Sequence, residues 1–213
     1  MKAALPVALE RTVIYAVVFV SGGAGMAFEI LGSRVLAPDF GSTMFVWGSL
    51  ISVFLFALCL GYSIGGRLSE KADSLALLGI MTLAPAVLLL SFPLYGFWVS
   101  GLIFDQDMGA RLGPLVASCC LFFLPTIFFG TITPLAVSLL ASPRHGAGRS
   151  AGDVFAISTT GSIIGTLGTS FFLILWIGTK ACLVLLGALL LALSIAALGY
   201  HLLARPQGQD ERS

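Results

Sequence analysis

Charged residues are scarce in this sequence. Asp, Glu, Lys and Arg make up 10% of its 213 residues, whereas a typical soluble domain has about 25%. The formal net charge is +1, so the chain has no excess of basic residues for contact with nucleic-acid phosphates. This composition argues against a soluble enzyme and against a nucleic-acid-binding protein.

Residue types that bind metals or carry redox chemistry are also few. The sequence has four cysteines and two histidines. No paired CxxC spacing occurs, and neither histidine has a second potential ligand beside it, although a zinc site needs several such ligands. No glycine-rich phosphate loop follows a strand-like segment. We therefore expect no metal, no cofactor and no catalytic residue in this chain by itself.

Apolar residues dominate instead, at 58% of the chain, and the mean hydropathy is +1.04. A membrane core roughly 30 Å thick is crossed by about 20 apolar residues in a helix. The sequence therefore predicts an all-α, polytopic transmembrane helix bundle with six spans, at about 11–36, 43–66, 75–102, 112–141, 154–177 and 181–203. These spans form a single membrane domain at 1–204, which a short polar tail at 205–213 follows.

The positions of Lys and Arg predict the orientation of the bundle. Eight of the eleven lie in the N-terminus, the 67–73 and 142–152 loops and the tail, and only Arg34, Arg111 and Lys180 lie on the other side. Cytoplasmic loops carry the excess of basic residues. We therefore expect both termini, and the tail, to be cytoplasmic, in a multi-pass protein of the cell inner membrane.

Glu29 is the most unusual residue of the first span. A carboxylate at the centre of a span costs roughly 2.5–3.5 kcal/mol on insertion, so it normally faces the bundle interior or a cavity. Ser21, Gly25 and Ser33 share its four-residue spacing, and such small residues allow another helix to approach. Two interpretations stay open: a structural contact, such as a pair with Arg34, or a binding site for a cation or proton.

Small and hydroxyl-bearing residues recur in the second and fifth spans. In the fifth span, Ser158 and Thr159 precede two glycines at four-residue spacing. Tight helix packing is the favoured interpretation, and a hydroxyl-lined substrate cavity is the alternative. The predicted packing positions are Gly25, Gly61, Gly65, Gly161 and Gly165.

Five loci along the chain form motifs. They are Glu29-Ile-Leu-Gly-Ser-Arg34-Val-Leu-Ala-Pro38-Asp-Phe-Gly41-Ser, Trp47-Gly-Ser, Leu60-Gly61-Tyr62-Ser-Ile-Gly65-Gly66-Arg67-Leu, Gly130-Thr-Ile-Thr-Pro134-Leu, and Gly148-Arg149-Ser-Ala-Gly152 continuing through Ser158-Thr-Thr-Gly161 to Gly165-Thr. In this order they resemble the membrane module of bacterial and archaeal spermidine-synthase-like proteins. Phe28 and Phe155 stand where members of that family often have Tyr.

The resemblance implies a role in a polyamine-related system. In that family the membrane module is often fused to a soluble aminopropyltransferase domain, which we do not find in this chain, so only the membrane module carries over. The first hypothesis is therefore a non-catalytic membrane subunit or anchor. It would dock a separately encoded aminopropyltransferase-like protein through Arg67, Arg144 and Arg149.

Two other functions stay open. One is a polyamine or small-cation transporter that acts as a homo-oligomer, and the other is a structural subunit of a larger membrane complex. The candidate residues for binding a substrate or cation are Glu29, Arg34, Asp39, Ser158 and Thr159.

Overall fold

The structure of the chain, a computed structural model, describes residues 7–71, 74–141 and 147–204. All regular structure in these ranges is helical, which confirms the predicted all-α class. The helices are α1 (Val7–Phe40), α2 (Met44–Lys71), α3 (Leu75–Phe104), α4 (Gly109–Leu140), α5 (Ala147–Gly168) and α6 (Ile174–Ala204), with a π-helical segment at Thr169–Leu173 between α5 and α6.

The helices are longer than the apolar spans that predict them. The first four contain 28 to 34 residues, a rise of about 42–51 Å, which exceeds a membrane core of roughly 30 Å. Side-chain caps begin two of these helices. Thr43 Oγ1 accepts the Val46 N–H of α2 at 3.4 Å, and Ser74 Oγ accepts the Leu77 N–H of α3 at 3.2 Å.

Within the described residues, five helical stretches are long and apolar enough to cross a membrane. The fifth runs from Gly148 to Leu203 over 56 residues, more than twice the length that one crossing needs. Gly178 interrupts it with φ 77° and ψ 170°, a conformation that is essentially restricted to glycine. The part before this break packs mainly on α1, whereas the part after it packs mainly on α3.

Close contacts give the direction of α5 relative to α1. Gly161 lies against the Phe19 carbonyl, and Gly165, one turn later, lies against the Gly23 carbonyl. Both helices advance together along this contact, so they are parallel. Because glycines meet backbone here, the two helix axes approach closely.

Contacts at glycines also give the relative directions of the remaining helices. Gly61 of α2 faces Ile127 of α4, and Gly65 faces Thr131, so α2 and α4 are parallel. The pairing of α3 with α6 is antiparallel, because Gly79 contacts Leu198, late in α6, whereas Leu90 contacts Gly187, eleven residues earlier.

A cluster of aromatic rings fills the centre of the bundle. Phe28 of α1 is 0% exposed. Its ring centroid lies 5.8 Å from that of Phe54, 5.4 Å from that of Phe92 and 5.2 Å from that of Phe122. These rings come from α2, α3 and α4, so α1 is the central helix. The pairs with Phe92 and Phe122 are edge-to-face, an arrangement that adds about 0.5–1.5 kcal/mol each beyond burial.

Candidate functional site

Glu29 follows the central Phe28 in α1 and is partly buried. Its carboxylate makes no hydrogen bond or ion pair with any residue that the structure describes. Arg34, the partner that the structural interpretation offered, is exposed and likewise forms no ion pair in the described ranges. The central helix therefore carries an acidic group that has no counter-charge within residues 7–71, 74–141 and 147–204.

The serines in register with Glu29 use their hydroxyls within α1. Ser21 Oγ donates to the Val18 carbonyl at 3.1 Å, and Ser33 Oγ donates to the Ile30 carbonyl at 2.8 Å. A Cβ added at Gly25 would lie 3.8 Å from the Phe129 ring, which is ordinary packing distance. None of these groups donates a hydrogen bond to the carboxylate.

The π-helical segment of the chain lies at the same level of the bundle as Glu29. Glu29 comes six residues after Gly23, and the segment begins four residues after Gly165, which faces Gly23. Thr169 opens the segment and is 1% exposed, and its Oγ1 has no hydrogen-bond partner in the part of the chain that the structure describes. A buried unpaired hydroxyl costs about 1–3 kcal/mol, and π-helical turns are frequent at functional sites.

A partly open cleft of about 320 Å³ lies beyond Glu29, towards the C-terminal end of α1. Two isoleucines line it together with five residues that carry polar groups, which are Ser33, Arg34, Ser42, Trp47 and Ser170. The cleft therefore joins the end of α1, the start of α2 and the π-helical segment. Its polar groups can donate hydrogen bonds, and the guanidinium supplies a positive charge.

Asp39 is engaged within the bundle. Its carboxylate accepts a hydrogen bond from Ser100 Oγ of α3, and Ser100 is fully buried. This contact connects the end of α1 with the end of α3. The structure thus separates the two candidate carboxylates of α1: Asp39 has a partner, and Glu29 has none among the described residues.

Ser158 and Thr159 lie away from Glu29. Gly22 packs directly on Ser158, whose carbonyl accepts the Ser162 hydroxyl at 2.9 Å. Thr159 is exposed on the outer side of α5. The structure therefore locates Ser158 in the α1–α5 contact, two turns before the level of Glu29.

The structure describes two of the three candidate docking arginines. Arg67, near the end of α2, and Arg149, at the start of α5, are both exposed. The contact directions of the helices bring them to one end of the bundle, opposite to Arg34. Arg144 lies outside the described residues.

Two residues of this region were not among the sequence-based candidates. Thr169 and Ser170 belong to the π-helical segment, which has no motif of its own in the sequence. In the sequence, only their position at the end of the hydroxyl-rich run of the fifth span could have indicated these two residues. Their relation to Glu29 depends on the parallel packing of α1 and α5.

Comparison of this chain with protein-family models, with curated proteins and with solved structures gives no match. Its class therefore follows from the fold. Several helices are long and apolar enough to cross a membrane. Large apolar side chains, such as Leu94, Leu175 and Trp176, are exposed on their outer surfaces. These features are those of a multi-pass helical membrane protein.

Proposed function

We propose that this chain is a six-span, non-catalytic protein of the inner membrane that binds a small organic cation at Glu29. The observation that carries the proposal is the partly buried carboxylate of the central helix, which has no counter-charge among the described residues. The spermidine-synthase-like motifs favour an amine of the polyamine class as the cation.

The alternation of helix directions supports six spans. α1, α3 and α5 share one direction, since Phe28 meets Phe92 and Asp39 meets Ser100 further along both helices. α4 opposes them, because Phe40 packs on Gly113, near its start. α2 is parallel to α4, and α6 is antiparallel to α3, so the six helices alternate in direction. An even number of crossings leaves both ends of the chain on one side of the membrane. The excess of basic residues predicts that this side is cytoplasmic.

An unpaired carboxylate within a span favours cation binding on energetic grounds. Such a group is costly in the membrane and is normally compensated by a partner or by water. An ammonium group supplies the opposite charge and up to three N–H donors. Docking of a partner at the loops does not involve this residue, whereas binding of an amine gives its charge a direct use.

The proposal is tested by titrating spermidine into the purified chain in lipid nanodiscs. Glu29→Gln removes the charge and keeps the shape, so we expect the affinity to fall about tenfold or more, the effect of a lost charge-assisted hydrogen bond. Glu70→Gln, at an exposed position near the end of α2, is the matched control and should bind like wild type. Equal affinities for all three proteins would overturn the proposal.

A second function, docking of an aminopropyltransferase-like protein, is favoured by Arg67 and Arg149. Both are exposed at the proposed cytoplasmic end and form no ion pair in the described ranges, so an acidic partner surface would complement them. The double variant Arg67→Glu, Arg149→Glu should lose a crosslinked enzyme of this type, identified by mass spectrometry, from native membranes. Arg11→Glu, on the outside of α1, should retain it.

A further inference from the structure

The cleft at the C-terminal end of α1 differs in chemistry from the Glu29 region. Arg34 is exposed there and has no carboxylate partner in the described part of the chain. The hydroxyls of Ser33, Ser42 and Ser170 line the same space of about 320 Å³. Asp39, five residues after Arg34, is already bonded to Ser100, and Glu29, five residues before Arg34, does not line the cleft.

Two further sources of positive potential lie at the start of α2. Helix α2 starts at Met44, between Ser42 and Trp47 of the cleft wall, so the positive end of its dipole lies there. The Arg111 guanidinium carbon lies 5.6 Å from the centroid of the Phe45 ring, in the first turn of the same helix. The region as a whole favours an anion and disfavours an amine.

We propose that this cleft binds the phosphate group of a membrane phospholipid. A guanidinium matches the phosphate oxygens through paired N–H donors, and the hydroxyls of Ser42 and Ser170 can donate to the oxygens that remain. Trp47 supplies an indole of the kind that lies at headgroup level. The inference uses none of the residues that the cation proposal needs.

The surroundings of the cleft favour a lipid over a soluble phosphate compound. Ile174 lines the cleft, and the next two residues, Leu175 and Trp176, are 75% and 77% exposed. An apolar outer surface therefore continues from the edge of the phosphate site. A phospholipid can place its headgroup in the cleft and its acyl chains along this surface.

Native mass spectrometry of the purified full chain, titrated with phosphatidylglycerol, tests the proposal. Arg34→Gln should weaken lipid binding about tenfold, because the charged donor is lost. Lys180→Gln is the matched control: it removes a cation that lies 5.0 Å from the Phe97 ring, outside the cleft. This control should bind within about twofold of wild type.

Two more measurements separate the possible outcomes. The double variant Ser42→Ala, Ser170→Ala keeps every charge, so weaker lipid binding by this protein supports a built site, even where Arg34→Gln does not fold. Two results would overturn the site. One is equal lipid binding by wild type, Arg34→Gln and the serine variant, and the other is an equal loss of binding in Arg34→Gln and Lys180→Gln. Inorganic phosphate that binds as tightly as the lipid, with the same dependence on Arg34, would overturn the lipid as its source.

Discussion

Two carboxylates on one helix have opposite surroundings in this protein. Asp39 accepts a hydrogen bond from a buried serine of α3, whereas Glu29 has no partner in the described ranges. The sequence places Glu29 within the predicted 11–36 span and Asp39 after its end, but it identifies a partner for neither. The difference arises from the neighbouring helix, because Ser100 lies 61 residues away in the chain.

This difference predicts distinct effects of the same type of substitution at the two positions. Asp39→Asn retains an acceptor for Ser100 but loses the charge, so we expect the free energy of unfolding to fall by about 1 kcal/mol. The affinity for spermidine should stay within about twofold of wild type, because Asp39 does not belong to the proposed cation site. Denaturant unfolding in detergent, combined with titration, measures both quantities.

A loss of spermidine affinity in Asp39→Asn as large as that in Glu29→Gln would contradict this assignment. It would mean that both carboxylates contact the amine and that the Ser100 hydrogen bond is only one of two functions of Asp39. Ser100→Ala is the control, since it removes the hydrogen bond and keeps the charge.

At the scale of the helices, close approach through glycine determines the pairing of α1 with α5. A Cβ at Gly165 would overlap the backbone of Gly23, so Gly165→Ala should push the helices apart and destabilise the protein by about 1–3 kcal/mol, as overpacking does. Gly168→Ala, three residues later, meets nothing within 4 Å. This control should be neutral or slightly stabilising, because alanine favours the helix by up to about 1 kcal/mol.

Thermal unfolding of the two alanine variants side by side checks this prediction. If both variants unfold at the same temperature, the glycines do not set the α1–α5 distance. The level of Thr169 relative to Glu29 would then need another cause. The comparison therefore also tests the register on which the candidate site depends.

Helices were more predictable than their junctions, for physical reasons. Apolar composition alone predicts spans, because the bilayer requires them. The helices extend beyond the predicted spans: α1 runs from Val7 to Phe40, whereas the apolar composition predicts a span at 11–36, since interfacial residues continue a helix without adding apolar surface. The π-helical segment had no predictive pattern, because it depends on packing between α1, α5 and α6.

At the scale of the whole molecule, the directions of the helices predict that the chain reverses at Gly178, so that the stretch from Gly148 to Leu203 makes two crossings. The alternative topology is one crossing. If the chain reverses at Gly178, Lys180 lies at the same membrane surface as Asp107, in the turn between α3 and α4. If these residues form a single crossing, Lys180 lies inside the membrane, since it is near the middle of the stretch. The two topologies therefore differ most at this lysine.

Labelling of introduced cysteines with a membrane-impermeant maleimide in intact cells separates them. In a background with the four native cysteines replaced by alanine, Asp107→Cys and Lys180→Cys should both react from outside. Lys71→Cys, at the opposite end of α2, should react only after permeabilisation. If the cysteine of Lys180→Cys reacts neither in intact cells nor after permeabilisation, the stretch is a single crossing and the six-span proposal is wrong. Reaction of Lys71→Cys alone in intact cells would instead keep six spans and reverse the orientation, because the positions of the basic residues would then have predicted the wrong side.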